Sequence, residues 1–237
     1  MKLFIMQPNF LPWIGFFDMV NLCDKFVFLD DVKVSKNSWI NRNKIKTKNG
    51  LEWIKLPIKN NQNKLINKLE IYNEKKFLKK LIFSINQNYN KSRYFKKFEN
   101  EFFDLLEDGF KNGNLSNLNQ NIIFWAFKKF KINKQVFRSS ELNIIGKKNY
   151  RIVDICKKLD ITTYITTPGS VDYLREDINL YKENKIKLTV HNYVHPEYFQ
   201  LHNNFISHAC FLDILFNEGH NASNIIYKGS KKLHELN

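Results

Sequence analysis

The sequence predicts an α/β protein with a mainly parallel, Rossmann-like sheet and an all-helical insertion in the middle of the chain. Three observations carry that prediction. Short apolar runs at Leu3 to Met6 and Phe26 to Leu29 flank a stretch of helical period, the outline of a β-α-β unit. From about residue 74 to about 132 the apolar positions follow a helical period without interruption. Beyond that, strand-like and helix-like segments alternate again. Residues 1–237 are therefore read as one α/β domain, with 74–132 as a helical insertion or cap.

The first run breaks at Gln7-Pro8-Asn9 and the chain restarts at Pro12-Trp13-Ile14-Gly15-Phe16-Phe17-Asp18. Pro12 suits a first helical position, where its missing N–H costs nothing, and Asn9 is a candidate side-chain cap. Phe16, Met19, Val20, Leu22 and Cys23 then supply a buried stripe. Gly15 lies inside this helix at a cost of about 1 kcal/mol against Ala. Either a close approach of backbone or ligand offsets that cost, or the glycine lets the helix sit tightly on the sheet; the sequence leaves both open. The second run ends in Asp30-Asp31. Carboxyl ends of parallel strands line the ligand crevice, so Gln7, Asn9, Asp30 and Asp31 are expected to face one small volume.

Trp53 to Ile58 and Leu69 to Tyr72 look like two short strands joined by a polar loop, a hairpin on a sheet edge where Pro57 is tolerable. The insertion follows as three helices whose aromatic and aliphatic stripes are read as core. Strands are expected at Val136 to Arg138, Thr163 to Thr166 and Leu188 to Val194, with a helix from Tyr150 to Leu159. Pro168-Gly169-Ser170 follows the Thr163 strand directly and marks a loop of the crevice. Beyond it Asp172 and Tyr173 are candidate polar contacts, with Asp172 equally a helix cap.

All six histidines lie from His191 onward. On a strand, His191 and His195 share a face but stand about 13 Å apart, too far to share one ion. No metal site is expected. His195, beside Pro196 and followed by Tyr198 and Gln200, has the position of a general base or ligand contact, while His191 reads as a satisfied core histidine. The remaining four lack supporting neighbours.

Composition bounds the function. The 237 residues are 43% hydrophobic and 15% aromatic, enough for a sizeable core. No stretch approaches eighteen apolar residues, so no membrane span is expected. Cys23, Cys156 and Cys210 are far apart and set in apolar patterns, which suits free thiols in a reducing cytoplasm. The net charge of +15 invites a nucleic-acid reading. The lysines are dispersed in ones and twos, though, and Lys, Asn, Ile and Phe abound together as an A+T-biased genome dictates. No glycine-rich phosphate loop, G-x-S-x-G elbow or C-x-x-C pair is present, and no cofactor is evident.

Gln7-Pro8-Asn9-Phe10-Leu11-Pro12-Trp13-Ile14-Gly15, Phe28-Leu29-Asp30-Asp31-Val32 and Asn41-Arg42-Asn43-Lys44-Ile45-Lys46 resemble the opening motifs of the WbqC-like proteins. The likeness continues through Arg138-Ser139-Ser140-Glu141-Leu142, Asp172-Tyr173-Leu174, His195-Pro196-Glu197-Tyr198-Phe199-Gln200 and Leu212 to Asn217. The resemblance implies a bacterial protein of O-antigen or other surface-polysaccharide clusters, with a glycine transferase role suggested for some members. The resulting expectation is a cytoplasmic transferase acting on a nucleotide-linked amino sugar, with acyl or glycyl transfer to its amine. Asp30 or His195 would take the proton, and Arg42 with Lys44 would hold the diphosphate, Asn41 beside them. The acyl donor is not legible. A non-catalytic sugar-nucleotide or glycan-binding protein is the alternative, and an RNA-binding protein a third; nucleic acid enters as a partner chiefly if an aminoacyl-tRNA is the donor.

Overall fold

The computed structural model describes residues 1–35, 38–59, 63–202 and 204–236. Strand β1 (Lys2–Met6) leads through α1 (Ile14–Leu22) to β2 (Lys25–Phe28), as the apolar pattern predicts. Helix α1 begins later than expected. Its N-cap is Trp13, without a side-chain cap, and Asn9 does not serve it. The chain instead turns tightly before the helix: Asn9 N–H donates to the Gln7 carbonyl (2.8 Å), and Leu11 takes a left-handed φ of 47°. Pro12 therefore lies in the turn and not in the first helical position.

Strands β3 (Arg42–Thr47) and β4 (Gly50–Lys55) form a separate two-stranded antiparallel sheet. This corrects the expected pairing of residues 53–58 with 69–72, of which a single bridge between Ile58 and Ile71 remains. The hairpin closes on Lys48-Asn49, flanked by Thr47 and by Gly50, whose φ of 103° a side chain would strain. Residues 60–62 of the expected polar loop lie outside the described residues.

Helices α2 (Lys75–Tyr89), α3 (Phe95–Asn112) and α4 (Leu115–Lys129) form the helical insertion. Then come β5 (Gln135–Arg138), α5 (Lys148–Lys158), β6 (Thr163–Thr166), α6 (Val171–Arg175), α7 (Ile178–Glu183) and β7 (Lys187–Val190). Helices α8 (Phe211–Glu218) and α9 (Ala222–Lys228) and a short β8 (His234–Glu235) complete the described chain. Strand β7 is shorter than expected: His191 N–H makes a last bond to the Thr166 carbonyl, and Val194 N–H then turns to Gly229. His195 consequently sits in an irregular loop rather than at a strand end.

The main sheet has the order β5-β2-β1-β6-β7-β8, parallel throughout except for β8. Side chains alternate between its faces, as the two-residue strand period requires. Phe4, Phe26, Phe28 and Ile165 join one core with α1, α8, α9 and all three helices of the insertion. Leu3, Ile5, Val27, Tyr164 and Leu188 join the other with α5, α6 and α7. The order reverses at β1, which has β2 on one side and β6 on the other. Such a switch point leaves a crevice at the strands' carboxyl ends, because the connections on either side diverge to opposite faces. Among the described residues no helix is long and apolar enough to cross a membrane.

Candidate functional site

A cleft of about 330 Å³ opens at that switch point, lined by Met6, Asn9, Pro12, Trp13, Trp39, Asn43, Thr167 and His208. Met6 ends β1 and Thr167 follows β6, so the ends of these two paired strands form its floor. Its walls come from three separated segments tied together by buried amides. Asn43, 3% exposed, donates from Nδ2 to the carbonyls of Phe10 (3.1 Å) and Leu11 (2.7 Å). Asn119 of α4, fully buried, donates to the carbonyls of Pro8 (2.8 Å) and Ile40 (2.6 Å). These bonds hold the turn at residues 7–12 against the Trp39 segment, where Phe10 N–H also donates to the Trp39 carbonyl (2.9 Å).

The third segment carries His208. Cys210 N–H donates to the Lys44 carbonyl (2.8 Å) and Phe211 N–H to the Pro12 carbonyl (2.9 Å), which lays His208 over Trp13 with ring centroids 5.3 Å apart. Trp13 also meets Tyr193 edge-on at 5.4 Å and stacks on His195 at 6.3 Å. The open question over Gly15 finds its answer in the same indole. A Cβ there would stand 2.2 Å from Cη2 of Trp13. The three atoms nearest that position all belong to the indole.

His195 packs behind the cleft wall, 5.4 Å from the His208 ring and beside Tyr198 and Phe205. Burial among these rings lowers its pKa to about 4, so it is neutral at neutral pH. Its Nδ1 lies 3.1 Å from the Pro196 carbonyl, which requires the proton on Nδ1 and leaves the lone pair on Nε2. That Nε2 is buried and has no hydrogen-bond partner among the described residues. His208 is exposed, with Nδ1 2.8 Å from Ser207 Oγ. His191 is buried at 2% exposure with Nε2 2.7 Å from Asp18 Oδ2.

The loop bearing both histidines rests on a polar network. Tyr198 Oη and Gln200 Nε2 each donate to Asp213 Oδ2 at 2.8 Å, and Gln200 also pairs with both the N–H and the carbonyl of Ile206. Burial pushes the Asp213 carboxyl up to about 6 against those stabilising bonds. Buried Lys46 binds the Asn204 carbonyl at 2.6 Å and clamps the far side of the loop. Tyr198 and Gln200 are thus buried beneath the loop rather than facing the cleft.

The other expected residues divide into two groups. Gln7 lies at the end of β1 beside the cleft-lining residues, its Oε1 3.5 Å from Ser38 Oγ. Asn41 donates to the Leu56 carbonyl at 3.1 Å, and Arg42 and Lys44 lie 4.7 and 5.0 Å from the centre of the Trp53 ring. Trp53 in turn packs on Trp39, so these cations are two rings from the cleft interior. Asp30 and Asp31 stand elsewhere on the same sheet edge. Asp30, 2% exposed, accepts from Ser140 N–H (3.0 Å) and Ser140 Oγ (2.9 Å), with Ser139 Oγ at 3.2 Å. Asp31 pairs with Arg151 and lies 2.5 Å from Ser139 Oγ. Tyr173 is on α6, 39% exposed, beyond the turn that follows Thr167. Among the described residues no group of three His, Cys, Asp or Glu side chains is arranged to hold a metal ion.

Sheet order and cleft together define a doubly wound α/β protein with a crevice at its switch point, walled in part by two indoles and an imidazole. The chain belongs to the WbqC-like protein family, whose model matches residues 7–225. An uncharacterised protein of Mycobacterium tuberculosis, Rv1507c, is 29% identical over 225 residues, which cover 93% of this chain and 95% of that protein. No solved structure matches the chain.

Proposed function

We propose that this protein is a transferase of surface-polysaccharide precursor synthesis that passes an acyl group, glycyl in the first instance, to the amine of a nucleotide-linked amino sugar. The observation that carries the reading is the cleft at the switch point, where an indole face and a paired imidazole cluster meet amide side chains. A sugar ring presents apolar C–H faces to an aromatic wall and hydroxyls to an amide, which Trp13 and Asn9 offer together, with Asn43 holding the turn that carries them. His208 is the imidazole that lines the cleft. With its Nδ1–H donated to Ser207, Nε2 takes the proton as the amine nitrogen attacks the carbonyl of an activated ester or thioester. The C–N bond forms, the bond to the leaving group breaks, and the proton passes to that group. Neutral His195, stacked behind, keeps a second positive charge away from the imidazolium. Arg42 and Lys44 hold the diphosphate as charge-assisted donors. Asp30, with both oxygens bonded, stiffens the neighbouring strand ends.

Mass spectrometry of amino-sugar nucleotides incubated with the protein and activated glycine tests this directly. A mass gain of one glycyl residue on the sugar nucleotide is expected. A panel of bound but unmodified sugar nucleotides would replace the transferase by a binding protein.

A further inference from the structure

Two aromatic surfaces of this molecule differ in kind from the core. Trp39 and Trp53 are 47% and 41% exposed, yet their rings pack at 5.2 Å with an interplanar angle of 37°. A half-exposed pair of indoles is an apolar surface of the kind that marks a binding site. Local bonds fix its base: the Trp39 carbonyl accepts from Phe10, and Lys44 and Trp53 are paired across the β3–β4 hairpin. That register puts Lys44 directly opposite Trp53 and Arg42 next along the same face, so two cations sit at 4.7 and 5.0 Å from one ring centre.

We infer that the Trp39–Trp53 pair, with Arg42 and Lys44, is a nucleobase-stacking subsite contiguous with the cleft. The inference rests on the reading of the substrate as a sugar nucleotide and adds where its base lies. Size supports it: about 330 Å³ is at the small end of ligand pockets, which run from about 300 to 1,000 Å³, and accommodates a sugar but not the whole nucleotide. The base must then lie outside, and Trp39 is the ring that both lines the cleft and continues onto the exposed pair. Flat π-faces stack on every base, while the adjacent cations meet the phosphates that a nucleotide carries a few ångströms from its base. The occupant is a free nucleotide. A nucleic-acid strand would need an extended cationic track, and the pair subtends only one or two bases.

Calorimetric titration of ADP, CDP, GDP and UDP, with pyrophosphate as the base-free control, tests the subsite. At least one nucleoside diphosphate should bind ten times more tightly than pyrophosphate and quench tryptophan emission. Trp39→Leu and Trp53→Leu should each weaken that nucleotide fivefold or more, Trp39→Phe should retain most of the affinity, and pyrophosphate binding should not change. Both indoles are half-exposed, so folding survives these changes, which the circular dichroism spectrum checks. Equal affinity for pyrophosphate and all four nucleotides, no nucleotide binding, or full affinity in both Leu variants would overturn the inference. A short single-stranded RNA binding more tightly than every nucleotide at 150 mM salt would overturn it as well. Failure of the transferase reading is separable: Trp-dependent nucleotide binding without glycylated product removes the reaction and leaves the subsite. Product formed at undiminished KM by Trp39→Leu removes the subsite and leaves the reaction.

Discussion

Two polar clusters stand on the same carboxyl edge of the sheet, at the ends of neighbouring pairs of strands, and their hydrogen bonding differs. At the ends of β2 and β5, Asp30 and Asp31 are wrapped by Ser139, Ser140 and Arg151. At the ends of β1 and β6, the cleft has an exposed His208 on its wall, and behind it a buried His195 nitrogen finds no partner among the described residues. A buried carboxylate that accepts two or three bonds is inexpensive to keep and hard to use, since a ligand would have to displace those donors. An unsatisfied or solvent-facing imidazole is the reverse. The contrast teaches that proximity to a strand end selects candidates, and the state of their hydrogen bonds divides scaffold from chemistry.

Substitution of one member from each cluster should break them apart in opposite ways. His208→Gln keeps a polar side chain at an exposed position and should alter stability by less than about 0.5 kcal/mol, while glycyl transfer falls by about 10²–10⁴. Arg151→Met strands the largely buried Asp31 carboxylate and should cost about 3 kcal/mol in urea unfolding, with kcat unchanged once the protein is folded. Equal losses of stability in both variants would erase the distinction.

Much of the fold is legible because it follows apolar periodicity. The β1-α1-β2 opening, the three insertion helices and the β5, α5 and β6 segments all announce themselves through burial patterns that a sheet with two covered faces must satisfy. Arg42–Thr47 does not, because its inward side chains include Asn43 and its outward run ends in a buried lysine, Lys46. Polarity there reads as surface, so the sequence offers Trp53 to Ile58 only the 69–72 segment as a partner, which it meets at its far end while residues 50–55 pair with 42–47. At the carboxyl edge, position along the chain points to Gln7, Asn9 and His195, of which Asn9 lines the cleft. His208 has no supporting neighbour in sequence; its partner Trp13 meets it through the backbone bonds of Cys210 to Lys44 and of Phe211 to Pro12 that only the fold supplies. Asn43 and Asn119 likewise carry no sequence signal beyond being amides in apolar surroundings.

The histidine loop gives a second lever, through groups whose burial acts in opposite directions with pH. Asp213 is raised from 3.8 to about 6, so its contribution to stability is greatest below pH 4 and is lost as pH rises through 6. His195 is lowered from 6.5 to about 4, so its contribution is full above pH 6.5 and is lost as pH falls towards 4. The two slopes oppose each other between pH 4 and 6. Asp213→Asn removes one of them, and the variant should gain on the wild type by about 2 kcal/mol between pH 4 and pH 6.5. His195→Phe, which keeps a ring in the stack, should lose ground to the wild type over the same interval. Parallel urea-unfolding profiles for all three proteins would show that the loop's buried groups are not coupled to folding in this way.

The smallest expected effect concerns the glycine whose purpose the sequence leaves open. Gly15→Ala raises helix propensity by about 1 kcal/mol, but its methyl group would stand 2.2 Å from the Trp13 ring, whose indole must then swing away. That motion forfeits the contacts with Tyr193, His195 and His208, each worth about 0.5–1.5 kcal/mol, so their sum outweighs the helix gain and global stability should fall by about 0.5 kcal/mol or more while the cleft loses a wall. Affinity for a sugar nucleotide should fall about tenfold, equivalent to about 1.4 kcal/mol. The closed cluster around Asp30 should be untouched. A readout free of any ligand exists in the imidazole protons of His208, which lie against the indole face and should shift downfield once its ring current is removed. Unchanged His208 resonances together with unchanged affinity would mean that Trp13 accommodates the methyl in place, and that the glycine serves the packing of α1 alone.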